Sequence, residues 1–148
     1  GFDTLNPVLS RGNPAPGLGL MYDSLLEPAL DEININAEYG LIAEAFRYPA
    51  DYAWVEYRLN PNARWHDGTP ISVEDLVWTF EKLIEVNPSQ AFYYRHVVKA
   101  EAVGERTVRF TLPLTFSVET PSTVTLKSFS TASLISALVA SFATLKPY

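Results

Sequence analysis

A five-residue stretch of the chain alternates between hydrophobic and polar residues, as a half-buried β-strand does. Val55, Tyr57 and Leu59 alternate with Glu56 and Arg58. Successive side chains of a strand point to opposite faces, so the first three should face a core and the last two should face solvent. The pattern predicts a strand with one buried and one solvated face.

A helix is predicted soon after this strand, with a signal for its start and another for its end. Ser72 fits as the N-cap, and Asp75 three residues later fits a short capping box. Asn87-Pro88 ends the helix, because proline cannot continue it. Residues at helical spacing predict one apolar face, formed by Val73, Leu76, Val77, Phe80, Leu83 and Ile84.

Two shorter helices are predicted nearer the start of the chain. Hydrophobic residues recur at helical spacing over residues 18–25, and Pro28 should close that helix. Tyr39–Phe46 is the second short-helix candidate. Residues 29–38, which lie between them, are predicted as a loop.

A β-hairpin is predicted after the long helix. The strands Val97–Val103 and Thr107–Leu112 flank a turn at Gly104-Glu105-Arg106. On the second strand Val108, Phe110 and Leu112 should face one way. Arg109 and Thr111 should face the other. Strands and helices together predict a chain of the α/β class, with mixed α and β content.

These elements carry a resemblance to the family 5 extracellular solute-binding proteins, the peptide- and nickel-binding components of bacterial ABC importers. The most specific part is the strand–turn–helix stretch around Trp65-His66-Asp67-Gly68. The resemblance covers about residues 2–112. The pieces that carry it are, in order, Leu5-Asn6-Pro7, Met21–Leu26, Trp54–Leu59, Ala63–Pro70, Val73–Phe80 and Val98–Leu112.

The resemblance implies part of one lobe of a type II periplasmic binding protein fold. In that fold two lobes close on a solute, and the closed form delivers it to an ABC permease in the inner membrane. A peptide is the favoured solute, although a family does not fix its ligand and nickel chelates, haem or oligosaccharides stay open. The implied location is the bacterial periplasm or cell envelope, with no cofactor.

Two segments are predicted to contact the solute. The first resembles the family's first strand-to-helix loop, which reaches the cleft. The second follows the proline that ends the long helix, where the family often supplies an aromatic side chain with a large contact area. The alternative for each aromatic is a core anchor for the hairpin. The predicted ligand-binding residues are Ser10, Arg11, Asn13, Phe92, Tyr93 and Tyr94.

Catalytic and metal-binding functions find little support in the sequence. His66-Asp67 lies in a turn, where aspartate commonly bonds the following backbone, and no third ligand is nearby. The chain has no cysteine, so no thiolate ligand or thiol nucleophile is available. Its net charge of −6 argues against nucleic acid as a partner. We therefore predict no metal ligand and no catalytic residue.

The composition changes abruptly at Pro113. Residues 1–112 hold 16 acidic and 9 basic residues, whereas residues 113–148 hold three charged residues and 13 serines or threonines. This predicts a lobe fragment over residues 1–112 and an atypical Ser/Thr-rich segment over residues 113–148. The second segment carries no match to the family pattern. It is a divergent part of the family, a spliced or non-native piece, or a segment of less certain residue identity.

Two further alternatives stay open at the sequence level. Trp78 lies on the polar face of the long helix, so either a loop of this chain or another part of the lobe should cover it. The alternative function is a stand-alone interaction or assembly subunit without a solute of its own. A hydrolase is the least favoured function.

Overall fold

The computed structural model describes residues 1–6, 8–9, 11–28 and 38–112. The predicted boundary at Pro113 and the whole of segment 113–148 lie outside this part of the chain. The described elements are a 3₁₀ helix at Leu18–Met21, strands β1 (Leu26–Pro28), β2 (Glu38–Gly40), β3 (Ala43–Arg47) and β4 (Trp54–Leu59), helices α1 (Val73–Val86) and α2 (Pro88–Tyr93), and strands β5 (Lys99–Gly104) and β6 (Thr107–Thr111). The content is mixed α and β, as predicted.

A four-stranded antiparallel sheet of order β3-β4-β6-β5 forms the centre of the described fold. Its register places Glu56 opposite Arg47 of β3 and opposite Arg109 of β6. Strands β1 and β2 form a separate two-stranded antiparallel pair. We call the sheet face that carries Glu56 the outer face, because α1 packs against the opposite face.

The predicted alternation on β4 is confirmed for its hydrophobic residues. Val55, Tyr57 and Leu59 are all buried and meet Val108 and Phe110 of β6 in one core. The apolar face of α1 covers them. The ring of Phe80 lies 5.6 Å from that of Phe110, edge to face, which is an arrangement that aromatic pairs prefer. The core therefore lies between α1 and the sheet.

The prediction for Glu56 is wrong, because its side chain is buried and not solvated. The two arginines that flank it across the sheet, Arg47 and Arg109, both bind its carboxylate, and the Glu56 side chain is 1% exposed. Arg58, the other polar residue of β4, is exposed as predicted. The strand alternates correctly, but long cross-strand neighbours decide which outer-face residue is covered.

The capping box of α1 is confirmed. The Ser72 hydroxyl accepts a hydrogen bond from the amide of Asp75 at 3.1 Å, and the Asp75 carboxylate accepts one from the amide of Ser72 at 3.0 Å. The indole of Trp65 donates to the same carboxylate at 3.2 Å. Asp75 thereby fastens the preceding turn to the start of the helix.

The prediction of a short helix at Tyr39–Phe46 is wrong, because this segment forms β2 and β3. Strand β2 pairs with β1, and β3 pairs with β4. Between them the chain turns sharply: a side chain on Gly40 would meet the carbonyl oxygen of Ala43 at 2.5 Å. Short apolar runs do not distinguish helix from strand by spacing alone, and here pairing with distant strands decides the outcome.

The prediction of a helix over residues 18–25 that ends at Pro28 is largely wrong. Only Leu18–Met21 is helical, as a single 3₁₀ turn, and Pro28 belongs to β1. Leu25 and Leu26 are buried in extended chain. The glycine in this stretch, Gly19, weakens a helix, and burial of these leucines outweighs the remaining propensity. The predicted loop falls almost wholly on residues 29–37, outside the described residues.

The predicted hairpin after the helices is confirmed as β5 and β6. Val108 and Phe110 are fully buried, and Arg109 between them points to the outer face. The end predicted for α1 at Asn87-Pro88 is also confirmed. The sequence did not predict that Pro88 begins α2, where the missing amide donor of a first-turn residue costs nothing.

Candidate functional site

The first predicted solute-contacting segment is an exposed turn fastened to the start of the chain. The amide of Asn13 donates to the Asp3 carboxylate at 2.5 Å, and its side-chain amide donates to the Gly1 carbonyl at 2.7 Å. Arg11 is exposed on this turn. Ser10 lies outside the described residues. Asn13 therefore holds the turn in place, and Arg11 is the charged side chain that the turn presents.

The second predicted segment divides into two exposed rings and one buried ring. Phe92 is 69% exposed and Tyr93 50% exposed, both on α2, whereas Tyr94 is 5% exposed. The ring of Tyr94 lies 6.5 Å from that of Phe80, edge to face, in the core. Burial, together with the neighbouring Tyr93, raises the pKa of Tyr94 above its ordinary value, so its phenol stays neutral.

The exposed rings are held in position by their neighbours. The Tyr93 ring stands edge to face on Tyr94 at 4.8 Å. The guanidinium of Arg95 lies over the Phe92 ring at 4.3 Å from its centre, a cation–π contact. Phe92 and Tyr93 thus present aromatic surface beside a positive charge, while Tyr94 supports them from the core.

Asn87 connects the two predicted segments. Its side-chain amide donates to the carbonyl oxygen of Val8 at 2.5 Å, and its side-chain oxygen accepts from the amides of Ser89 and Gln90 at 3.1 and 3.2 Å. Asn87 thereby caps the start of α2 and binds the N-terminal segment two residues before Ser10. The sequence predicted Asn87 only as the end of α1. Asparagine before proline was the available signal for a helix cap.

A buried carboxylate, paired with two arginines that are themselves partly or largely exposed, lies on the outer face. The Glu56 carboxylate is 1% exposed and accepts hydrogen bonds from Arg47 at 2.5 Å and from Arg109 at 2.5 and 2.8 Å. Arg109 also lies over the Trp54 ring at 4.8 Å. Burial alone would raise the pKa of Glu56, but the hydrogen bonds and charges of Arg109 and Arg47 outweigh it and lower that pKa.

Metal-binding residues do not cluster in the part of the chain that the structure describes. No group of three or more histidine, cysteine or acidic side chains comes together there. The Asp67 carboxylate accepts hydrogen bonds from the amide and hydroxyl of Thr69, as expected of a turn aspartate. None of the helices in the described ranges is long and apolar enough to cross a membrane.

Trp78 is partly exposed on the polar side of α1. The described residues leave Trp78 42% exposed, whereas the core residues of the same helix are buried. Cover by a loop of this chain and cover by another part of the lobe both remain predictions.

The sequence matches the family model of bacterial extracellular solute-binding proteins, family 5 Middle, over residues 38–144. The chain belongs to this family. The match begins at β2 and continues to residue 144, so the expectation that the chain carries no match to the family pattern after Leu112 is wrong for residues 113–144. The recognition made from the motifs is thereby confirmed, and family 5 members are binding proteins rather than enzymes.

Several relatives are identical to this chain at more than a third of the aligned positions. The chain is 45% identical over 83% of its length to the probable peptide-binding protein YejA of Agrobacterium fabrum, of which it covers 20%. It is 34% identical over 81% of its length to the peptidoglycan-binding protein YepA of the same organism, of which it covers 21%. The chain spans about a fifth of these relatives.

Solved family 5 structures share the fold. The protein MoaA, solved with mannopinic acid, superposes with a TM-score of 0.63 at 22% identity, over 96% of this chain and 26% of that one. The murein tripeptide-binding protein MppA, in its unliganded open form, superposes with a TM-score of 0.60 at 18% identity, over 75% and 24%. The chain therefore has the predicted fold, part of a lobe of a type II periplasmic binding protein.

Proposed function

We propose that this chain forms part of one lobe of a protein that captures a peptide and delivers it to an ABC permease. The observation that carries the proposal is membership of family 5 together with 45% identity to a probable peptide-binding protein. Delivery to a permease of the inner membrane requires a protein in the periplasm or cell envelope. The partners we propose are therefore a peptide and the permease.

The exposed surface of α2 supports a role in holding that peptide. Phe92 and Tyr93 offer aromatic area that loses little conformational entropy on binding, and the tyrosine adds a polar tip. Asn87 joins this surface to the segment that carries Ser10, Arg11 and Asn13. We propose that the two segments line one side of the cleft and that a second lobe provides the other side.

The proposal is tested on the full-length protein. Solutes bound during expression are released by denaturation and identified by mass spectrometry, and the same classes are then titrated by calorimetry. The panel contains mixed tripeptides, a murein tripeptide, a nickel–histidine complex and a mannose oligosaccharide. We expect a peptide to bind with a Kd of about 1 μM or below, the scale of a specific site.

A matched pair of variants locates the binding. Phe92→Ala should weaken peptide binding, whereas Tyr52→Ala, which removes another exposed aromatic ring from the loop between β3 and β4, should not. Binding of nickel or sugar without peptide would contradict the peptide assignment. A full-length protein that binds none of the four classes would favour the interaction-subunit alternative.

A further inference from the structure

The outer face of the sheet is built from short rows of side chains that run across the strands. One row is Arg47, Glu56, Arg109 and Glu101, in which basic and acidic residues alternate. The next row places Arg58 between Ala45 and Thr107. Because both neighbours of Arg58 are short, this second row leaves space that the first row fills.

That space is a cavity of about 300 Å³ on the outer face. This volume is at the lower end of the range for pockets that bind small molecules, about 300–1,000 Å³. The Glu56 carboxylate lies at the cavity, already engaged by Arg47 and Arg109. The lining residues are Ala45, Phe46, Arg47, Glu56, Arg58 and Thr107.

In each of the two arginines of the cavity, one edge of the guanidinium is held in an ion pair and the rest of the side chain is accessible. Arg47 binds Glu56 through Nε, and Arg58 binds Glu44 through Nε at 2.7 Å. Their side chains are nevertheless 74% and 57% exposed. A guanidinium has five donors in a rigid fork, so an ion pair through Nε leaves further donors for a second oxyanion.

The charges of the cavity favour a negatively charged ligand. The lining holds two guanidinium groups and one carboxylate, and the groups that pair with them from outside the lining, Glu44, Arg106 and Arg109, leave the balance positive. This positive balance stands out in a chain of net charge −6. A carboxylate carries one charge and matches the guanidinium fork in two parallel hydrogen bonds, and the Thr107 hydroxyl adds another donor.

We propose that the cavity between β3, β4 and β6 binds a carboxylate through Arg47, Arg58 and Thr107. The carboxylate belongs either to a small organic acid or to an acidic side chain of a polypeptide. Since the cavity lies on the outer face and α1 with α2 packs on the other side, this site is separate from the proposed peptide cleft. It does not depend on the function proposed above.

Four probes test the proposal by calorimetry on the full-length protein. Two capped single amino acids, glutamate and glutamine, compare a carboxylate with a neutral amide of the same shape and are shorter than the tripeptides proposed for the cleft. Propionate represents a free carboxylate, and inorganic phosphate represents a different oxyanion. We expect capped glutamate or propionate to bind at least 10-fold more tightly than capped glutamine and phosphate.

Three variants locate the binding in the cavity. Arg58→Gln removes one guanidinium, and Ala45→Leu fills the space without a change of charge. Each should weaken carboxylate binding about 10-fold. Arg58→Gln removes about one charge-assisted hydrogen bond, and Ala45→Leu occupies space that the ligand needs. Thr107→Val, which removes only the hydroxyl, should give a smaller loss. Melting temperatures show whether each variant is folded, and the threonine variant remains informative if the others are not.

The matched control is Lys82→Gln, which removes an exposed positive charge from α1 on the other side of the fold. It should leave carboxylate affinity within 2-fold of the wild type. Equal losses for Lys82→Gln and Arg58→Gln would show attraction to charge in general and overturn the proposal. Unchanged affinity in both Arg58→Gln and Ala45→Leu, or tighter binding of phosphate than of carboxylates, would also overturn it.

Discussion

The side-chain amide of Asn87 donates a hydrogen bond to the carbonyl oxygen of Val8, 79 residues away in the sequence, at 2.5 Å. Asn87 is buried, and its side-chain oxygen at the same time caps α2. One side chain therefore sets the position of the N-terminal segment relative to the helix that carries Phe92 and Tyr93.

Asn87→Ala should lower both stability and peptide affinity. It removes a helix cap, which costs about 1 kcal/mol, and it leaves the buried Val8 carbonyl without this donor, which costs about 1–3 kcal/mol more. Denaturant unfolding and calorimetry on the same sample measure both effects. Asn62→Ala, in an exposed turn, is the control. Normal affinity in a destabilised Asn87→Ala would show that the link does not serve binding.

Ser72→Ala should lower the free energy of unfolding by about 1 kcal/mol, the usual loss for an N-cap. The Ser72 hydroxyl accepts a hydrogen bond from the backbone amide of Asp75, which would otherwise lack an intrahelical partner. Peptide binding should not change, because α1 serves as scaffold. The midpoint of a urea titration measures the effect, with Ser89→Ala on exposed α2 surface for comparison. An unchanged midpoint for Ser72→Ala contradicts this role.

Tyr93→Ala should mainly lower peptide affinity, whereas Tyr94→Ala should mainly lower stability. Tyr93 is half exposed, so its loss should weaken peptide binding by about 1 kcal/mol and change stability little. Tyr94 packs on Phe80 in the core, so its loss should cost about 3–5 kcal/mol of stability, as other aromatic truncations in cores do. Melting temperature and affinity are measured on both variants. A Tyr93 variant that melts far lower yet keeps its affinity would place that ring in the core as well.

Glu56 should make the protein sensitive to acid. Its folded-state pKa lies below the ordinary value of 4.5, so its ion pairs stabilise the fold above about pH 4.5. That contribution is lost as the pH falls through the lowered pKa of the folded state, because protonation removes the charge that Arg47 and Arg109 bind.

The test is Glu56→Gln, which cannot ionise. At pH 7 it should be less stable than the wild type by about 1.5–3 kcal/mol, the range for hydrogen bonds to a charged group, and the difference should shrink below pH 4.5. Unfolding free energies at several pH values provide the comparison, with the exposed Glu85→Gln as the control. A difference that is constant with pH would show that the carboxylate charge is not involved.

The sequence by itself determined the elements that depend on near neighbours. The capping box of Ser72 and Asp75 joins residues three positions apart, and the hairpin depends on one turn between two alternating strands. Such rules act within a few residues, so they can be seen in the chain before it folds. The family motifs lie in the same local segments, and for that reason the family was also identified from the sequence.

The tertiary structure decided which side chains are covered and which short apolar runs become strands. Tyr39–Phe46 has helical spacing, but its two parts pair as strands with β1 and β4, and Ala43 is buried in the core. Glu56 occupies an outward position and is buried only because arginines from two other strands lie beside it. Tyr93 and Tyr94 are identical neighbours, yet one is half exposed and the other buried. Burial depends on residues distant in sequence, which local patterns do not record.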